Sequence, residues 1–315
     1  MGEYVDGGLL APVDLAGLSG QFRPVSVAAF RYNQKDYGIP ISTENLALLR
    51  NTELAPLPPQ TIEQMAKEGL RLRKAKKVDL PIALPVGGSG DPLHWYPFYS
   101  ASGGYLFSQN PDGSYTTESL GVGEDGSIRA AKDLADLTEQ GVLDRDVTVG
   151  QATEAFAAGR AAYLVSGPGA VETAKDAGIP LSVEAIPGFA STTRPLTRSL
   201  VSAQGFLLSA FARNAAAAQA FLTGTVMTTP TMDALFAAGG QVPAWSASFR
   251  AASADPVVRA FGEFADASVP TPNLAVMSDV WRELGAAQVA VMAGEPPART
   301  MRAAGQQIQA AIDAG

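Results

Sequence analysis

The passage from Thr148 to Ala174, TVGQATEAFAAGRAAYLVSGPGAVETA, restricts the fold more than any other part of the chain. Its spacing predicts a helix ending at Gly159, an apolar strand over 161–165, and a turn of Ser166, Gly167, Pro168 and Gly169 that launches another helix. The strand is apolar without alternation, as expected where both faces of a sheet are covered. The stretches 81–85 and 181–186 read the same way. Buried strands interleaved with helices specify an α/β architecture.

The rest of the chain fits that class. FRYNQKDYGIPISTENLALLR, from Phe30 to Arg50, reads as a hairpin turned by Asn33, Gln34, Lys35 and Asp36, followed by a further strand. Thr61 and Gln64 form a capping box after the proline-rich break 55–59 and open a helix to about Lys74. Further helices are predicted over 92–101 and 127–140. A hairpin over 103–117 turns at Asn110, Pro111, Asp112 and Gly113. Strands at 181–186 and 204–210 precede helices at about 213–226, 229–238, 255–267, 276–293 and 297–313.

Composition closes several function classes. The 23 Lys and Arg against 31 Asp and Glu give a net charge of −8 over 315 residues, which supplies no basic face for nucleic acid. With no cysteine and one histidine, the chain has no thiolate nucleophile, cysteine-bound metal or His cluster, so neither cofactor nor metal is expected. No run reaches the roughly 18 apolar residues of a membrane span. The opening MGEYVDGGLLAPVD lacks the basic and apolar regions of an export signal.

Three passages in order, GGLLAPVD with RYNQKDYGIPISTENLALLRN, then DPLHWYPFYSASGGYLF, then AFAAGRAAYLVSGPGA, together resemble the extracellular solute-binding proteins of ABC sugar importers, in the maltose and maltodextrin branch. A late PNLAVMSDVW segment supports the likeness. The resemblance implies a two-lobed, type II periplasmic-binding-protein fold with hinge crossovers, lobe one being incomplete because relatives carry strand–helix units and a signal peptide ahead of Met1. It places residues 1–45 and 203–253 in lobe one, and 46–202 and 256–315 in lobe two. It also implies a mono- or oligosaccharide bound in an interlobe cleft, a membrane permease as partner, no catalysis, a monomer, and an extracytoplasmic location, periplasmic or as a cell-surface lipoprotein.

A sugar site needs aromatic rings for the apolar C–H face of a pyranose, and carboxylates or amides for its hydroxyls. By the resemblance, Glu44 takes the place of a ligand carboxylate beside the hinge. Asp91 and Pro92 match a Glu-Pro pair in lobe two, with Leu93 where the maltose binder has an aromatic. Trp95 and Tyr96 follow one turn later, as a relocated stacking surface or as helix core. Gly169 stands where the maltose binder carries a stacking tryptophan. Trp281, with Arg282 and Glu283 as polar neighbours, matches a stacking aromatic of lobe two and is favoured for a cleft role. Trp245 is open between a rim contact and packing, and His94 is read as a structural hydrogen-bonding group.

Two other readings exist. Glu44 and Asp91 could serve as the acid and the nucleophile or base of a glycosidase, although the element order lacks the eightfold repetition of a barrel. Alternatively, the same fold could take a polyamine, an iron complex or a peptide. Neither the clustered acids that a polyamine needs nor paired tyrosines with histidine for iron are evident, so an uncharged polyhydroxylated ligand comes first.

Overall fold

The computed structural model describes residues 1–110, 113–191 and 197–314, which fall into two compact units. Unit 1 comprises Met1–Asn45, Phe107–Glu118 and Leu200–Met277; unit 2 comprises Leu46–Leu106, Ser119–Ser199 and the chain from Ser278 onward. Residues 256–277, expected in lobe two, therefore lie in unit 1. There the strand Val269–Pro270 runs parallel to Leu200 and Val201, and Asp266 receives the buried Arg23. Residues 107–118 join them, with the Tyr115 hydroxyl donating to the Pro270 carbonyl at 2.6 Å.

The main sheet of unit 1 has the strand order Leu10–Ala11, Leu200–Ser209, Gly38–Glu44, Val242–Pro243. Within it Ser202 faces Glu44, and Gln204 faces Ser42. The register then slips so that Gly205 faces Pro40. Pro40 has no N–H for the ladder, and Gly205 accepts the close approach that results. A Cβ there would stand 2.5 Å from the Ile39 carbonyl oxygen and 2.8 Å from the Phe30 ring. The hairpin expected near Asn33 forms between Arg31–Tyr32 and Lys35–Asp36, with Asn33 and Gln34 both at positive φ, as its two-residue turn requires.

Phe22, Ile39, Leu208, Met232 and Trp245 lie in the core of this unit, the Phe22 and Trp245 rings meeting edge to face at 4.8 Å. Arg23, 3% exposed, is fully engaged. It donates to Asp266 at 2.9 Å, to Thr43 Oγ1 at 2.9 Å and to the Gly262 carbonyl at 2.6 Å, and lies 4.5 Å over the Phe249 ring. A buried cation is tolerable only with such a complete set of partners.

Unit 2 is built on a three-stranded sheet in the order Tyr163–Ser166, Ala47–Asn51, Leu181–Glu184, all antiparallel. Every residue of Ala47–Asn51 is buried, as an apolar central strand between two layers should be. Its one charge, Arg50, is answered by Glu184. The stretch 81–85 does not form the expected strand. Leu80 and Ala83 make only isolated parallel bridges to Ala161 and Leu164, because Pro81 and Pro85 withhold ladder donors.

The helices follow their sequence signals. Ile62–Lys74 starts at Thr61, whose hydroxyl accepts from Gln64 N. The Gln64 side chain instead takes the Gln60 amide, so the capping box is only half made. Val149–Ala157 has the full box from Thr148 and Gln151. The predicted helix over 213–226 is Ala215–Phe221 followed by a π-helical turn, Leu222–Val226. Of the 103–117 hairpin, Phe107–Gln109 pairs with Tyr115–Leu120, while Pro111 and Asp112 of its turn lie outside the described residues. Among the described residues no helix is long and apolar enough to cross a membrane.

Candidate functional site

Glu44 closes the strand Gly38–Glu44 in unit 1 and is half-buried. Its Oε1 accepts from Gln204 Nε2 at 3.1 Å and from Gln241 Nε2 at 2.8 Å. Gln241 is itself held, because the Ser42 hydroxyl donates to its Oε1 at 3.0 Å. Neither glutamine stands out in the sequence. Gln204 could have been found by pairing 204–210 with the strand that ends at Glu44, whereas Gln241 depends on the short strand Val242–Pro243, which carries no periodic signal.

In unit 2, Asp91 caps the helix Pro92–Ala101. One carboxylate oxygen accepts from His94 N at 3.0 Å and the other lies 2.8 Å from His94 Nδ1, so both are committed to the same residue. The Asp91 amide donates to the Oε1 of fully buried Gln288 at 2.7 Å. Gly90, at φ +81°, and Gly285 make that approach possible. A Cβ on Gly90 would fall 2.3 Å from the Gly285 carbonyl oxygen, and one on Gly285 would fall 2.6 Å from that of Ser89.

Trp281 lies on the same helix as Gly285 and Gln288, one turn before this contact. It lies on the helix Met277–Met292 at the i, i+4, i+7 spacing with Gly285 and Gln288, hence on the same face and one turn before the point where Ser89–Asp91 seats. Its ring is half-buried, while Val280 and Leu284 beside it are buried. Arg282 is exposed and bridges Asp279 at 2.6 Å and Glu283 at 3.0 Å, so the tryptophan emerges among charges rather than within core.

The other expected contacts are placed differently. Trp95 is 1% exposed and meets Tyr99 edge to face at 5.2 Å; Tyr96 stacks on Tyr99 at 6.0 Å. Burial pushes the Tyr96 phenol up to about 12, with the positive charge of Arg198 pulling the other way. These rings are helix core and present no open face, since Pro92–Ala101 is apolar all round and has no solvent side on which to display them. Pro92 is buried. Gly169 is exposed at the start of the helix Gly169–Asp176, with open space where a Cβ would be. Trp245 is buried, its Nε1 donating to Thr229 Oγ1 at 3.0 Å. The structure thus packs Gly285 and Gln288, one and two turns beyond Trp281, against Ser89–Pro92 in unit 2, leaves Glu44 with its glutamines in unit 1, and removes Trp95, Tyr96 and Trp245 into cores. Among the described residues there is no group of three or more side chains fit to hold a metal ion.

Comparison with known proteins bears on what such an arrangement serves. A galactooligosaccharide-binding protein of Bacillus subtilis is 24% identical over 309 residues, an alignment covering 94% of this chain and 70% of that protein. A maltotriose-binding protein of Pyrococcus abyssi is 25% identical over 191 residues, covering 59% of this chain and 40% of the relative. A solved cyclo/maltodextrin-binding protein complexed with maltotetraose superposes with a TM-score of 0.86 at 21% identity, over 99% of this chain and 80% of that one. At that identity the likeness speaks to the fold, which is the two-lobed α/β type II solute-binding fold. The relatives named are binding proteins, not enzymes. The family model described as bacterial extracellular solute-binding protein matches residues 1–260, and the chain belongs to that family.

Proposed function

We propose that this protein binds an oligosaccharide of the maltodextrin or galactooligosaccharide kind, holds it unaltered, and hands it to the permease of an ABC importer outside the cytoplasm, either free or lipid-anchored. The observation that carries the reading is the Trp281 ring. It is a large apolar face, half-open, flanked in sequence by Asp279, Arg282 and Glu283 and one helical turn before Gly285, which packs against Ser89 and Pro92. Such a pairing of ring and polar rim matches a pyranose, whose C–H face is apolar and whose equator carries hydroxyls. Taken by itself, unit 1 holds Glu44, a carboxylate oriented by two amides and of the kind that accepts from sugar hydroxyls. The relatives named above add support, since each carries a saccharide in its name.

A hydrolytic role for Glu44 and Asp91 has less in its favour. Asp91 is tied to its own helix turn, each of its oxygens serving His94, which suits a capping role better than that of a free nucleophile or base.

Thermal unfolding with maltose, maltotetraose, galactooligosaccharides and spermidine tests the proposal. A saccharide at a hundred times its dissociation constant should stabilise the native state by about 2.7 kcal/mol, while spermidine should leave the transition in place. No shift with any sugar would contradict the reading.

A further inference from the structure

We infer that Gln204 and Gln241 are positioning residues that hold the Glu44 carboxylate in the orientation in which it receives a ligand hydroxyl; this rests on the reading of Glu44 as a ligand contact. Three strands bring the residues together. Ser42 and Glu44 are two apart on Gly38–Glu44 and share one face of the sheet, and Gln204 is the direct cross-strand partner of Ser42, hence diagonal to Glu44. On the opposite side Gln241 precedes Val242, the partner of Thr43. The carboxylate is therefore bracketed by one amide from each neighbouring strand, and both donate to the same oxygen, Oε1.

The orientation of these amides is fixed by chemistry. Turning Gln241 over would place its carbonyl oxygen against the carboxylate and its NH2 against the Ser42 hydroxyl that now donates to it. Turning Gln204 would likewise set oxygen against oxygen. Glu44 makes no ion pair among the described residues, so its charge is steadied by neutral donors alone. Oε1 is saturated by the two amides, while Oε2 accepts no hydrogen bond among the described residues. Each amide nitrogen carries a second hydrogen beyond the one spent on Glu44.

A sugar hydroxyl can both donate to an oriented carboxylate oxygen and accept from an amide hydrogen, so this group of side chains suits it. A residue that tunes a carboxylate in this way acts through it. Its removal should therefore matter only while the carboxylate is present.

Calorimetric titration with maltotetraose supplies the test, on the full chain and on Gln241→Leu, Gln204→Leu, Glu44→Ala and each glutamine change combined with Glu44→Ala. Each single glutamine change is expected to weaken binding roughly tenfold, and the same change in the Glu44→Ala background to have almost no further effect. Circular dichroism and thermal unfolding identify any variant that has lost its fold, and the other glutamine then carries the comparison. Full additivity in the cycle, or glutamine variants that bind like the parent, would overturn the inference while leaving saccharide binding intact. Loss of affinity in Trp281→Ala with none in Glu44→Ala would also overturn it, since the ligand would then lie away from Glu44. Failure of the parent chain to bind any sugar would remove both this inference and the function it rests on.

Discussion

Unit 2 carries two tryptophans on two helices, and their fates are opposite. Trp95 belongs to PLHWYPFYSA, where eight of ten residues are buried, and its ring is enclosed against Tyr99. Trp281 belongs to MSDVWRELGAAQ, where Asp279, Arg282 and Glu283 flank it while Met277, Val280, Leu284, Gly285, Ala287 and Gln288 form the buried stripe. The same side chain is an internal wedge in one helix and a half-open platform in the other. What decides is the polar pattern around the ring: a helix without a polar face has nowhere to display an aromatic, whereas an amphipathic one displays it at the boundary of its stripe.

The sharpest contrast between the two rings is energetic. Trp95→Ala removes a fully enclosed ring from a packed helix and should cost about 3–5 kcal/mol of stability in denaturant unfolding. Asp91→Ala, which strips the cap and the His94 contact, should cost about 1 kcal/mol and leave sugar affinity nearly unchanged, because both carboxylate oxygens work inside the helix turn. A large loss of affinity there would move Asp91 into the ligand shell. Trp281→Ala should cost under about 1 kcal/mol of stability, since the ring is only half-buried. If it destabilised as much as Trp95→Ala, the two rings would be equivalent and the contrast would fail. Gly169→Trp should be smallest, within about 0.5 kcal/mol, because nothing stands within 4 Å of the added Cβ. A gain in sugar affinity from that ring would show that Gly169 lies beside the ligand.

Much of the architecture was legible because hydrophobic period and capping act locally. The helix Ile62–Lys74 begins where Thr61 and Gln64 announce it, and the apolar strand near 161–165 forms over Tyr163–Ser166. The failures have local causes too. Two prolines turned 81–85 from a strand into isolated bridges, and Pro24–Ala28 and Ser246–Ala252 are helices too short for a periodic pattern to register. In the site, Glu44 and Trp281 could be picked out by residue type and motif. Gln204 and Gln241 could not, since their role comes from cross-strand register across Gly38–Glu44 and not from their neighbours in sequence. Trp95 and Tyr96 illustrate the reverse error: ring chemistry suggests stacking, but an all-apolar helix consumes it for packing.

The central claim is that Trp281 is the platform on which a saccharide rests. Calorimetric titration of maltotetraose into the parent protein and into folded Trp281→Ala tests it most directly. The account requires measurable binding to the parent and a loss of about 1–3 kcal/mol of affinity in the variant. Equal affinities for the two proteins would contradict it.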